Sequence, residues 1–328
     1  MPDLIGLSDI RAAANRLAGR VHRTPLLTSR SLGERVGATA GLKAECLQKT
    51  GSFKARGALN RVRSLDADAR RRGLVTVSAG NHAQALAWAA AADGVPCTVV
   101  MPENASPAKI EASRAYGAEV VLRGDVYDAF DECFRLRDTR GLFFAHPFDD
   151  EAIIAGQGTV GLEIVEDAPD VEVVVVPVGG GGLLSGIAAA VKALRPGARL
   201  YGVEPTGAPN LRRALDDGAV VRLDAIDTIA DGLAPPSAGE RTLAHVQALV
   251  DDVVLVSDAQ IIDAMRFALE RAKLVLEPAG AAAIAGLLAG RVPDVARASV
   301  VAVASGGNIS AHRLAALLGP AGTPARSG

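Results

Sequence analysis

The chain has 328 residues, 49% of them hydrophobic but only 3% aromatic, and its 35 basic against 37 acidic residues leave a net charge of −2. That balance argues against nucleic acid and anionic membrane as partners, since each binds a concentrated basic face. The length allows two domains, and so few aromatics call for a core of Ala, Val, Leu and Ile, which suits helices packed on an aliphatic sheet.

No apolar run reaches the ~20 residues of a membrane helix, and the segment from Met1 to Arg20 lacks the uninterrupted apolar stretch of a secretion signal. Cys46, Cys97 and Cys133 are scattered, in neither a disulfide framework nor a zinc spacing, and read as small core residues. A cytoplasmic protein is expected.

In chain order, the first strong signal is Thr50-Gly51-Ser52-Phe53-Lys54-Ala55-Arg56-Gly57-Ala58, where a lysine beside an aromatic ring opens a predicted helix. The positive end of the helix macrodipole and the apolar neighbours disfavour an ammonium there, so the lysine pKa falls and its neutral amine becomes a nucleophile. The alternative is a solvated lysine at the start of a surface helix. Only six lysines are present (Lys43, Lys49, Lys54, Lys109, Lys192 and Lys273), so few residues compete for a covalent role.

From Gly73 onward, short β-branched runs alternate with helical patterns. Leu74 to Val77 precedes an Ala-rich helix through Trp88, Cys97 to Val100 precedes a helix opening near Ser106-Pro107, Glu119 to Leu122 precedes a helix over Val126 to Arg137, and Leu142-Phe143-Phe144 closes the set. A second series has strands at Val171 to Val176, Arg199 to Val203, Val253 to Val256 and Ser299 to Val303, with helices between. Such βαβ series predict parallel sheets, and near-continuous apolar strands need cover on both faces. The expected architecture is α/β: two open parallel-sheet αβα domains, with His146 to Glu151 at the junction. Residues 1–66 and 152–328 would form the larger domain and 67–151 a smaller inserted one, with the site in the cleft between them. Leu233 to Gly239 reads as a loop and the tail Gly319 to Gly328 as frayed.

Three strand-to-helix turns carry glycine. Gly179-Gly180-Gly181-Gly182-Leu183 matches neither the dinucleotide fingerprint nor the Walker pattern. What remains is a nest of amides for a phosphomonoester, or tight packing alone. Ser78-Ala79-Gly80-Asn81-His82 offers a second anion site, sized for a substrate carboxylate, or a helix cap by Ser78. Ala304-Ser305-Gly306-Gly307-Asn308 ends a strand with a hydroxyl able to meet a ring nitrogen. A lysine able to form a Schiff base, an aromatic, two anion nests and a hydroxyl together match pyridoxal 5′-phosphate binding an amino acid.

These segments, together with Gly156-Gln157-Gly158-Thr159, resemble the serine/threonine dehydratase family, which includes serine racemase, within the fold type II group related to the tryptophan synthase β subunit. The resemblance runs from about residue 8 to about 315. It implies that Lys54 holds pyridoxal phosphate and moves the Cα proton, that Phe53 flanks the ring, and that Asn81 bonds its 3-oxygen. It further implies that Gly179 to Gly182 with Leu183 bind the phosphate, that Ser305 faces N1, and that Glu277 lies near the cofactor edge. Ser78, Ala79, Gly80, Asn81 and His82 would take the substrate carboxylate. In the family the cofactor phosphate protonates the departing hydroxyl. The implied reaction is dehydration of L-threonine, L-serine or a relative such as 3-hydroxyaspartate, by a homodimer or homotetramer.

Two departures narrow this. Racemases of the family carry a second serine where this chain has Ala79, and a methyl group delivers no proton, so dehydration is favoured over racemisation. At Glu204, Ala208 and Asn210, where some members bind a divalent cation, Asn210 replaces an acid and leaves a weak cation site. His82 and His146 receive no proton-transfer role, and Glu277 reads equally as an acid favoured at a helix start. A racemase or β-replacement enzyme of the same fold is the alternative within enzymes; a non-catalytic cofactor or nucleotide binder is the alternative outside them.

Overall fold

Parallel pairing sets two of the three glycine turns side by side, those after Pro177 and Val303, while the third, after Val77, ends a strand of a second sheet. The structure, a computed structural model, describes residues 3–105 and 107–319, so Ser106 and most of the tail expected to fray lie outside the described residues. In chain order the strands are β1 (Leu26–Thr28), β2 (Thr39–Lys43), β3 (Leu74–Val77), β4 (Cys97–Met101), β5 (Glu119–Leu122), β6 (Phe143–Phe144), β7 (Val173–Pro177), β8 (Arg199–Pro205), β9 (Asp252–Val256) and β10 (Ser299–Val303). They form a six-stranded sheet ordered β1-β2-β10-β7-β8-β9 and a four-stranded sheet ordered β5-β4-β3-β6.

Val173 to Val176 are fully buried, as a strand covered on both faces must be. Each such side chain contributes about 1.5–3 kcal/mol of burial. The four-stranded sheet is parallel throughout. In the larger one β1 runs antiparallel to β2, which corrects the all-parallel expectation at that edge. The sequence pattern also missed β2 itself. Its last residue, Lys43, reads as polar yet is fully buried, because its amine pairs with Glu163 at 2.6 Å and donates to the Thr24 carbonyl at 2.6 Å.

The helix Glu151–Asp167 packs on both the Lys54–Arg63 and the Gly182–Leu194 helices. Close approach explains the glycines of Gly156-Gln157-Gly158: a Cβ on Gly156 would come within 2.7 Å of the Gly57 Cα. The Gln157 side-chain oxygen accepts the Gly57 amide at 3.2 Å, so the helix that begins with Lys54 is held where the two backbones come close. The three cysteines are free and buried. Among the described residues no helix is long and apolar enough to cross a membrane.

Candidate active site

Lys54 is the first residue of its helix, and the two residues before it are tied to the end of β10. The Phe53 amide donates to the Ser305 carbonyl at 3.1 Å, and Ser52 pairs with Gly306 in an isolated bridge. The amine of Lys54 lies 5.3 Å from the centre of the Phe53 ring and donates to the Pro147 carbonyl at 3.0 Å. Desolvation pulls its pKa down to about 8, as its place at a helix start beside apolar groups led us to expect.

Two residues on, Arg56 is 1% exposed and fixes the helix from beneath. Its guanidinium donates to both Glu45 oxygens at 2.8 and 2.9 Å, to both Glu163 oxygens at 2.7 and 2.9 Å, and to Thr159 Oγ1 and the His22 carbonyl at 3.2 Å each. A forked donor suits two carboxylates, and Thr24 completes the set by donating to Glu45.

The glycine turn after β7 offers amides to the cleft. The amides of Gly179, Gly180 and Gly181 have no backbone acceptor, and Gly181 takes φ +91, a conformation open to glycine. A Cβ on Gly180 would come within 2.4 Å of the Phe148 ring, and one on Gly181 within 2.8 Å of Thr242 Cβ. Phe148 follows Pro147, whose carbonyl receives the Lys54 amine, so the nest and the lysine share one wall.

At the second turn, Ser78 Oγ accepts the Gly80 amide at 3.2 Å, bonding within the turn and not capping the helix. Asn81 and His82 open the helix Asn81–Ala92, so their amides lack intrahelical acceptors. The Asn81 side chain donates to Glu277 Oε1 at 2.6 Å and accepts from Asn308 Nδ2 at 2.8 Å; Asn308 also donates to the Thr50 carbonyl at 2.7 Å. Burial raises the Glu277 pKa to about 7 despite the bond from Asn81. Thr50 holds φ +58, unfavourable for a β-branched residue and found where a site over-determines the backbone.

The histidines divide. His146 Nδ1 accepts the amides of Phe148 at 3.3 Å and Asp149 at 2.8 Å, a structural role in the junction. Both ring nitrogens of His82 are buried without a partner, and burial beside Lys54 and His146 holds its pKa well below the ordinary range.

Lys54, Phe53, Ser305, Asn81, Glu277 and the nest are thus linked by a chain of contacts that passes through Gly306, Pro147 and Phe148. Glu204, Ala208 and Asn210 lie apart from that chain of contacts, at the end of β8. Glu204 accepts the amides of Leu211 at 2.9 Å and Arg212 at 2.8 Å, and burial pushes its pKa to about 8. The Asn210 amide is buried with neither atom bonded. Among the described residues no group of three or more His, Cys, Asp or Glu could hold a metal. The sequence pattern gave no role to Thr50, Pro147, Phe148 or Asn308, although Asn308 lies within a noted motif and the His-Pro-Phe-Asp-Asp break marks the junction.

Pyridoxal 5′-phosphate fits these residues: an amine with lowered pKa, amides without protein acceptors in a cradle that a Cβ would fill, and a polar side chain, Asn81, tied to Glu277. L-threonine ammonia-lyase of Thermotoga maritima is 46% identical over 95% of this chain and 77% of its own length. L-threo-3-hydroxyaspartate ammonia-lyase of Saccharomyces cerevisiae is 39% identical over 94% and 95%. The structure of maize serine racemase superposes with a TM-score of 0.92 at 37% identity, covering 95% of this chain and 96% of that one. Residues 17–306 match the family described as pyridoxal-phosphate dependent enzyme, and to that family this chain belongs.

Proposed function

We propose that this chain is a pyridoxal-phosphate-dependent ammonia-lyase that dehydrates L-threonine and L-serine, or a related β-hydroxy amino acid, to a 2-oxo acid and ammonia. The observation that carries this reading is an amine at Lys54 poised near neutrality, with a methyl group at Ala79 where a two-base enzyme would need a second proton donor. When bound, the cofactor supplies an electron sink for charge developing at the substrate Cα.

The residues divide the remaining work. When bound, the cofactor would have its phosphate held by Gly179 to Gly182 with Leu183, its ring flanked by Phe53, and Asn81, Ser305 and Glu277 as its polar partners. Within the turn Ser78 to His82, the Ser78 amide is held by the Val100 carbonyl and the Gly80 amide by Ser78, so the amides of Ala79, Asn81 and His82 receive the substrate carboxylate and orient the Cα–H bond toward Lys54. Lys54, neutral, takes the Cα proton; the C–H electron pair forms the Cα=Cβ bond as the β C–O bond breaks with its own pair going to oxygen, and that oxygen leaves as water with the equivalent of the abstracted proton. A neutral hydroxyl at Ser305, unlike a carboxylate, favours expulsion of the β-hydroxyl over prolonged storage of carbanion charge. Hydrolysis then releases ammonia and the 2-oxo acid.

The same reading assigns 1–66 with 152–328 to one domain and 67–151 to a second, supported by the grouping of β3 to β6 in one sheet. It includes an assembly of two or four chains, measurable by sedimentation. For the reaction, borohydride should fix cofactor on Lys54, and ammonia and 2-oxo acid should be assayed beside chiral analysis of residual substrate. D-serine accumulating faster than pyruvate would overturn the reading.

A further inference from the structure

The 3-oxygen of pyridoxal phosphate, when ionised, accepts hydrogen bonds and repels a carbonyl. A carboxamide carries a donor and an acceptor of nearly equal size, so Asn81 serves that oxygen only if its orientation is fixed. Glu277 does not fix it. With a pKa of about 7, its carboxyl accepts from Asn81 Nδ2 when ionised and can donate to Asn81 Oδ1 when protonated.

The orientation is set from the other side. The Thr50 carbonyl can only accept, so the Asn308 atom 2.7 Å from it must be Nδ2. That nitrogen also lies 2.8 Å from the Asn81 amide, and its second hydrogen calls for an acceptor there, which is Oδ1. Nδ2 of Asn81 is thereby turned the other way. It gives one hydrogen to Glu277 at 2.6 Å and keeps a second that has no acceptor among the described residues. One backbone carbonyl thus imposes a single direction of donation on two successive amides.

The local backbone holds that carbonyl in place. Thr50 is at φ +58 and Gly51 at φ +74, and a Cβ on Gly51 would collide with the Asn308 amide. The Gly307 amide donates to the Gly51 carbonyl at 2.9 Å, and the Phe53 amide to the Ser305 carbonyl at 3.1 Å. The turn after β10 is therefore clamped to the segment that enters the Lys54 helix. Asn308 stands at this clamp and reaches Asn81, 227 positions away, on the helix that follows β3.

We propose that Asn308 is a positioning residue: it relays the acceptor character of the Thr50 carbonyl to Asn81 and obliges Asn81 to offer the cofactor an N–H and not its carbonyl. The proposal rests on the reading of Asn81 as a polar partner of the cofactor and goes beyond it. Asn308→Asp keeps the shape but, ionised, can only accept, so Asn81 should turn its nitrogen toward the new carboxylate and its oxygen toward the cofactor. Titration of apoenzyme with pyridoxal 5′-phosphate, followed by absorbance, should show affinity weakened by at least about tenfold. In an Asn81→Ala background the same substitution should weaken it by about threefold or less, because no amide is left to turn. Equal loss in both backgrounds overturns the proposal, since structural damage or the added charge alone needs no Asn81. Unchanged affinity of Asn308→Asp overturns it as well. Should that variant not fold, neutron diffraction from deuterium-exchanged wild type decides the matter. Deuterons on the Asn308 atom between Thr50 and Asn81 support the proposal, and deuterons on the Asn81 atom facing Asn308 overturn it. Wild type that takes up no pyridoxal phosphate refutes the cofactor reading instead, and the neutron map reads the amides whether or not the site is loaded, so the two failures are distinguishable.

Discussion

Asn81 donates to Glu277 at 2.6 Å, joining the first turn of a helix on the four-stranded sheet to the residue that precedes a helix on the six-stranded one, 196 positions away. Burial raises the Glu277 pKa to about 7, so folding favours the protonated acid. The sign follows from proton counting: between the ordinary carboxyl pKa and about 7 the native state binds more protons than the unfolded chain, so stability falls as pH rises through that window. Glu277→Gln should remove this component. Urea denaturation at about pH 5 and about pH 8 checks it, with a smaller loss of stability between the two expected in the variant.

Lys54 predicts a pH profile of opposite sense. Its amine is held at about 8 by desolvation, and only the neutral form adds to a carbonyl. The rate at which apoenzyme takes up pyridoxal phosphate covalently should rise about tenfold per pH unit below that value and level off above it. Stopped-flow absorbance reads the rate. A midpoint near that of an ordinary surface lysine would show that the amine is solvated.

Arg56 should matter more to stability than its distance from the cofactor suggests. Replacing it with Met leaves the fully buried Glu45 without a cation and Glu163 with Lys43 alone, which costs about 3–5 kcal/mol. Arg56→Lys should recover only part, because an ammonium cannot fork to two carboxylates. Chemical denaturation of the apoenzyme measures both variants, and a Met variant within about 1 kcal/mol of wild type would contradict the account.

Asn210 tests the cation question. Glu204 spends both oxygens on the first amides of the Asn210–Asp217 helix and is pushed to about 8, so near neutral pH it offers little negative charge. Wild type should therefore show no rise in melting temperature with magnesium or calcium. Asn210→Asp restores a second acid and should gain a cation-dependent rise, since ligand charge sets affinity for hard cations.

These residues also show which parts of the molecule could be read from sequence. Val173 to Val176 announce a doubly covered strand because every position is apolar, and the glycine turn after it announces amides because no side chain competes. Lys43 and Arg56 hide the opposite way: each looks like surface, and burial becomes intelligible when Glu163, more than a hundred positions on, supplies charge to both and the buried Glu45 supplies it to Arg56. The Lys109–Asp231 bridge is concealed for the same reason, since a pairing over 122 positions leaves no local pattern. Local chemistry was legible, while long-range compensation of charge was not.

Ala79 gives the sharpest test of the reaction itself. Inverting an α-carbon requires proton removal on one face and delivery on the other, whereas dehydration needs only the base on the Lys54 side. Ala79 lies in the turn proposed to receive the substrate carboxylate, one residue before Gly80, whose amide is already bonded to Ser78. Ala79→Ser adds one hydroxyl there and should raise the D-serine to pyruvate ratio by about tenfold or more, the gain expected of a positioned proton donor. Chiral chromatography of a serine reaction, with threonine turnover as the control for folding, reads the ratio. No rise in a variant that still dehydrates threonine would mean that the methyl group at Ala79 is not what keeps this enzyme eliminating.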